Sequence, residues 1–275
     1  MENVKQNNSR NALLFIIGLG IIIGVIVPIV PQLVWAVSHR WAFPDLLPEA
    51  MSGRAWKYIA NPNSKVLSAT LNSLVIAICV TVISILVGVP AGKALGMYKF
   101  KAKGAIELII LSPSIIPPLA VTMGMQVIFI RMGLSDTIFG VILVHLIPTI
   151  PYMTVSMAGV FANYDPAYEE QARSLGAGTV KTFFLITLPT IFPGIVTGAM
   201  FAFLISWGQY ILTIIIGGGR VITLPLLLFS FASSGDFTLT SALSIIFLLP
   251  SIIILVITSK YLSGQSSGMG GFGNI

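Results

Sequence analysis

Hydrophobic residues in this chain come in long unbroken runs rather than at helical or strand intervals. Six runs, over residues 12–37, 66–95, 106–130, 137–161, 189–216 and 241–258, reach the roughly 20 apolar positions that an α-helix needs to cross a bilayer. A run with no polar face cannot be turned toward water, so each predicts a helix surrounded by lipid or by other helices. The pattern therefore predicts an all-α polytopic membrane protein with six transmembrane helices. A further apolar stretch, 221–231, is too short to span and predicts a half-buried or re-entrant helix. The first run is too long for a cleaved signal peptide, and no small-x-small site closes it.

Between the fourth and fifth runs lies a polar island, about residues 162–188. Asp165-Pro166 is a helix start, because Asp accepts from the first free amides and Pro suits the first helical position. Gly176 and Gly178 end that helix after about ten residues. Helical spacing puts Tyr168, Ala172 and Leu175 on one face and Glu169, Glu170 and Arg173 on the other, with Glu169 and Arg173 in pairing register. A second helix starts near Thr179 and runs to Leu188-Pro189. An acidic pair suits an anionic leaflet poorly, so this amphipathic helix is better read as a protein-docking element than as one resting on headgroups. Tyr168 and Leu175 would be its anchors, with charges at the rim.

Composition sharpens the membrane assignment. The 275 residues are 56% hydrophobic and 9% charged, against about 25% charged in soluble domains. The net charge of +6 does not indicate nucleic acid, because the basic residues sit in loops between apolar runs rather than on one face. With both termini on one side, that side holds Lys5, Arg10, Lys93, Lys99, Lys101, Lys103, Arg173, Lys181 and Lys260. The other side holds Arg40, Arg54, Lys57, Lys65, Arg131 and Arg220. The cluster from Lys93 to Lys103 places both termini in the cytoplasm by the positive-inside rule. Trp35, Trp41 and Trp56, around the long first outer loop, suit an interfacial belt. The chain divides into a cytoplasmic N-terminus (1–11), a transmembrane domain (12–262) and a Gly/Ser-rich tail (263–275) expected to be flexible. The single Cys79 has no disulfide or metal partner and reads as a small apolar residue.

Pro113, Pro117, Pro118, Pro148, Pro151, Pro193 and Pro250 interrupt the spans. Each removes a backbone hydrogen bond and kinks its helix, which suits helices lining a cavity as well as irregular packing. Few ionisable groups lie at membrane depth. Glu107 fits a solvated helix start. His145 reads either as a hydrogen-bonded core residue or as a path-lining one. Gln126, Ser206, Gln209 and Tyr210 are the other candidates for a translocation path. Gly217-Gly218-Gly219-Arg220 reads as a flexible outer turn.

The island's motif carries a resemblance. Glu170-Gln171-Ala172, three residues, Gly176, nine residues, then Ile186-Thr187-Leu188-Pro189 resembles the signature loop of the membrane subunits of binding-protein-dependent ABC importers. In that family the pattern is Glu-Ala-Ala, three residues, Gly, nine residues, Ile-x-Leu-Pro, and Gln171 is the one departure. The resemblance implies that the loop is a coupling helix seated on a cytoplasmic ATPase dimer. Asp165, Tyr168, Glu169, Glu170, Ala172, Arg173, Leu175, Gly176, Leu188 and Pro189 would form it. It also implies a second permease subunit, an extracytoplasmic solute-binding protein and a place in the bacterial plasma membrane. ATP and Mg would sit on the partner, and this chain, which has no G-x-x-x-x-G-K-[ST] loop, would bind no cofactor and no metal. Within the family the chain is most similar to the polyamine, aminophosphonate and ferric-iron branch. Ser206-Trp207-Gly208-Gln209-Tyr210 contains no carboxylate, which weighs against a polycation and toward an aminophosphonate or similar solute. A secondary transporter should instead show paired broken repeats or intramembrane acids, and none is found. An intramembrane enzyme would need a nucleophile and base or a metal cluster, whereas His39 and His145 stand at different depths without carboxylate partners.

Overall fold

A computed structural model describes residues 15–268, apart from 16, 25, 40, 42–44 and 46. The chain is helical: α1 (Ile17–Trp35), α2 (Arg54–Ala60), α3 (Val66–Met97), α4 (Lys103–Ile115), α5 (Pro118–Arg131) and α6 (Ile138–Ala162) are followed by the short α7 (Ala167–Ser174). Next come α8 (Thr179–Thr182), a π-helical turn (Phe183–Thr187), α9 (Leu188–Trp207), α10 (Ile211–Gly217), α11 (Leu224–Ser233) and α12 (Phe237–Gly268). Among the described residues, five helices are long and apolar enough to cross a membrane, or six if the bent pair α4–α5 counts as one span. The expected all-α polytopic architecture is thus present, with α7 between the fourth and fifth spans.

Three boundaries differ from the sequence expectation. The third run breaks after Ile115 into two helices bent by 100°. Ile116 is extended (ψ 136°), as a residue before proline tends to be, and Pro117 and Pro118 restart the chain in a new direction. The fifth span runs from Thr179 to Trp207, and Gly208-Gln209-Tyr210 separates it from α10. An apolar count carries through Gly208 because Ile211–Ile216 is equally apolar. The sixth span continues to Gly268, so the tail expected from Ser263 is helical that far. Residues 269–275, like the expected cytoplasmic segment 1–11, lie outside the described residues.

The chain forms two compact units. One comprises the described residues up to Lys65 with Leu228–Leu248. Its centre is Ala36, Ala55, Leu239 and Ala242, with Phe231 and Ile59 against them. A two-residue hairpin (Ser38↔Met51) and the Arg54–Asp236 ion pair at 2.6 Å complete it. Trp35 lies 4.9 Å from Trp41 and 5.5 Å from Phe237, ring to ring.

The other unit comprises Val66–Leu227 and Leu249 onward. Here α3, α6 and α9 pack side by side. Glycine makes the approach possible: a Cβ on Gly88, Gly92 or Gly96 of α3 would overlap Met153, Met157 or the Ala158 carbonyl of α6. Gly194 and Gly198 of α9 lie equally close to Val160 and Met153. Close backbone contact through small residues is how helices associate where no hydrophobic effect drives them together. Met153, Met157, Phe161, Tyr164 and Ile191 form the buried centre at the polar-island end. Phe129, Val144, Leu212 and Ile216 bring α5 and α10 onto α6. On its outer side α3 leaves Leu67, Leu71, Val75, Ile78, Val82 and Leu86 exposed, a face suited to lipid.

Candidate functional site

The polar island folds as a short helix with both ends capped. Asp165 Oδ1 accepts from the Ala167 amide at 2.9 Å, satisfying one of the free donors of α7. At the other end Gly176 takes φ +87°. Its amide bonds the Arg173 carbonyl at 2.9 Å, and the Ala177 amide bonds the Ala172 carbonyl at 3.0 Å. This pair of reversed bonds is the Schellman arrangement, which needs a left-handed residue at that point. Gly178 is extended (φ −70°, ψ 161°) and opens α8 rather than closing α7.

The expected apolar face is bare. Ala172 is buried, but Tyr168 is 54% and Leu175 90% exposed. Both line an open groove of about 720 Å³ with Gln171, Lys181, Leu185, Ile186 and Pro189. Leu188 is half-buried, and Pro189 is exposed in the first turn of α9. Glu170 is exposed.

Glu169 departs from the sequence expectation. Rather than joining Glu170 on the solvent face, its side chain is 15% exposed and turned toward the spans. Its Oε1 accepts from the Thr187 hydroxyl at 2.8 Å and the Tyr164 hydroxyl at 3.2 Å, and lies 3.5 Å from Lys93 Nζ. Its Oε2 meets Arg173 Nη2 at 3.3 Å, the pairing that helical spacing predicts. Burial alone would raise the Glu169 pKa, but the Thr187 hydrogen bond, the Lys93 charge and the Tyr164 hydroxyl outweigh it and hold the carboxyl below its ordinary range. Burial and the Glu169 charge push the Tyr164 hydroxyl upward against the Thr187 bond. From the sequence, Lys93 reads only as an orientation signal and Thr187 only as part of the motif, and Tyr164 is not singled out. A signal existed for Lys93, a lone cation between Gly92 and Ala94 inside an apolar run.

The membrane-depth candidates divide. His145 is 1% exposed; its Nδ1 lies 3.0 Å from Ser206 Oγ and its Nε2 3.0 Å from Thr213 Oγ1. His145 and Ser206 are therefore buried between helices in this conformation. The histidine ties together the two sides of the break at Gly208, since Ser206 lies in the last turn of α9 and Thr213 belongs to α10. Gln126 Nε2 donates to the Ile215 carbonyl at 3.4 Å, and Gln209 and Tyr210 are half-buried at the break. A separate cavity of about 380 Å³ lies among α4, α6 and α9, lined by Leu111, Ser114, Pro151, Tyr152, Val155, Ser156 and Phe201. Its hydroxyls at Ser114, Tyr152 and Ser156 were not anticipated, because isolated hydroxyls within apolar runs give no pattern. Gly217–Gly219 is not a free turn. A Cβ on Gly218 (φ +53°) would overlap the Asp136 carboxylate, Asp136 N bonds the Ile216 carbonyl at 2.8 Å, and Arg220 approaches Asp136 at 3.8 Å. Among the described residues, no three of His, Cys, Asp or Glu gather as metal ligands would.

Comparison with known proteins agrees with this geometry. Residues 84–263 match the family described as binding-protein-dependent transport system inner membrane component. The spermidine/putrescine transport system permease protein PotC of Haemophilus influenzae is 26% identical over 71% of this chain and 76% of its own length. The molybdenum transport system permease protein ModB of Mycobacterium tuberculosis is 29% identical over 63% of this chain and 70% of its own. A bacterial ABC transporter that imports the acidic polysaccharide alginate has the same fold, with a TM-score of 0.66, 18% identity and coverage of 91% of this chain and 95% of its own.

Proposed function

The chain belongs to the inner membrane components of binding-protein-dependent transport systems, and on that premise we propose that α7 is the coupling helix through which a cytoplasmic ATPase dimer drives import. The observation that carries this reading is the uncovered pair Tyr168 and Leu175 over a groove of about 720 Å³, with Lys181 in its lining. Large apolar side chains left bare beside charged ones are what a docking partner covers. ATP and Mg belong to that partner. The chain supplies one wall of the translocation path, a second permease of different sequence supplies the other, and an extracytoplasmic binding protein delivers the solute. Both termini lie in the cytoplasm, on the side of α7.

The relatives named above are spermidine/putrescine and molybdenum permeases, so kinship alone does not choose a cargo. The cavity among α4, α6 and α9 offers hydroxyls from Ser114, Tyr152 and Ser156 and no carboxylate. Hydroxyls can donate to an anion, whereas a polycation in a medium of low dielectric needs an opposite charge. We therefore favour a small anionic or zwitterionic solute, with an aminophosphonate first.

Two measurements on the complete transporter test these statements. Replacing Tyr168 and Leu175 together by Ala should abolish co-purification of the ATPase, and undiminished co-purification would refute the docking role. Vesicles offered 2-aminoethylphosphonate, spermidine, molybdate and ferric citrate should accumulate the phosphonate. Accumulation of spermidine alone would overturn the cargo assignment and leave the docking role standing.

A further inference from the structure

The carboxylates of α7 point in opposite directions, and the inward one is unusually well held. Glu170 faces solvent. Glu169 touches three other parts of the chain: Lys93 near the end of α3, Tyr164 just after α6, and Thr187 in the π turn that leads into α9. These parts lie 76, 5 and 18 positions away in sequence, so no local requirement of α7 brings them together. The end groups of the helix are met without these contacts, since Asp165 and Gly176 cap it. Elsewhere α7 has little to grip with, because Ala172 is its one buried side chain. An eight-residue helix attached by one alanine and flanked by loops would swing freely when pushed.

Resting on the docking role proposed for α7, we propose that Glu169 is the positioning residue that makes α7 rigid with the inner ends of α3 and α9, so that a push from the ATPase moves the spans instead of the loop. The chemistry suits the task. A carboxylate can accept from several donors at once, and each contact here comes from a different element. Lys93 Nζ also lies over the Phe161 ring, 5.8 Å from its centre, which limits the freedom of the cation as well. Thr187 stands at the second position of Ile186-Thr187-Leu188-Pro189, so the motif's unspecified position holds the side chain that receives the tie. Charged contacts of this kind, half shielded from water, give geometric definition more than stability.

The test uses the complete transporter in vesicles, with 2-aminoethylphosphonate as solute, or with whichever of spermidine, molybdate and ferric citrate the preceding experiment selects. Glu169→Gln and Lys93→Gln should each keep the ATPase bound and hydrolysing, while solute moved per ATP falls about tenfold, within the range usual for coupling between sites. The double variant should be no worse than either single one, because both remove the same tie. Joining Lys93→Cys to Glu169→Cys with a short thiol cross-linker should restore the ratio, and cleaving the cross-link should abolish it again. A purely structural role for either residue would not respond to that cleavage. Unchanged solute per ATP in both single variants would overturn the proposal, as would a loss that merely tracks lost ATPase or that adds up in the double variant. Should Glu169→Gln not accumulate, Lys93→Gln carries the test from outside α7. If instead the unaltered chain never retains an ATPase, the docking role itself fails, a result distinct from any of these.

Discussion

At the scale of single residues, two positions of the island make opposite demands. Gly176 adopts φ +87°, where a side chain costs about 1–2 kcal/mol and a β-branched one more, whereas Gly178 at φ −70° is open to any residue. Gly176→Val should therefore lower solute moved per ATP, and Gly178→Val should leave it near normal. Equal effects in the two variants would show that conformation is not what Gly176 supplies. Glu169 gives a pH signature. Its folded pKa is depressed, so its contribution is complete above the ordinary carboxylate value and is lost as pH falls through the lower folded one. The stability difference between the unaltered protein and Glu169→Gln should stay constant above about pH 5 and close in acid. Thermal unfolding of the purified protein across that range measures it, and a difference that widened in acid would reverse the assigned sign. The groups facing Glu169 are Lys93, Arg173 and the hydroxyls of Tyr164 and Thr187.

At the scale of elements, helix contact is decided by glycine. In a helix with open surroundings, Gly→Ala stabilises by roughly 0.5–1 kcal/mol because Ala has the better propensity. Where a Cβ would strike a neighbouring backbone, the sign turns, and overpacking costs about 1–3 kcal/mol. Gly92→Ala should thus lower the unfolding temperature, while Gly124→Ala, whose Cβ would meet nothing within 4 Å, should hold or raise it. Two shifts of the same sign would argue against the close approach of α3 and α6. This contact also marks where the sequence stopped being legible. Long apolar runs and a capped polar helix are local patterns, so the spans, Asp165 and Gly176 could be read directly. The inward turn of Glu169 could not, because it depends on Lys93 arriving from a span 76 positions away. Prolines at 117 and 118 announced a kink, but not one of 100°, which depends on what each half packs against. The end of α9 at Gly208 was hidden by equal hydrophobicity on either side. Gly88, Gly92 and Gly96, spaced by one helical turn, were visible as letters, yet their meaning needed the facing helix.

At the scale of the whole molecule, orientation follows from where the charges fall between spans. With Cys79 replaced, single cysteines at positions 54 and 101 should behave oppositely toward an impermeant thiol reagent on intact cells. Position 54 should react and 101 should not, and the reverse would invert the topology. The glycine contacts between α3 and α6 have a mechanical consequence. They continue a longer seam, in which Ile76 and Val80 pack against Val141 and Ile142 and Ser84 Oγ donates to Thr149 Oγ1 at 3.0 Å. From Ile76 to Gly96 that seam follows α3 for about 30 Å of helix. Two rods joined over such a length cannot pivot about one point. The pair is a strut, and a push at the end beside Lys93 would reach its opposite end without being lost in a hinge.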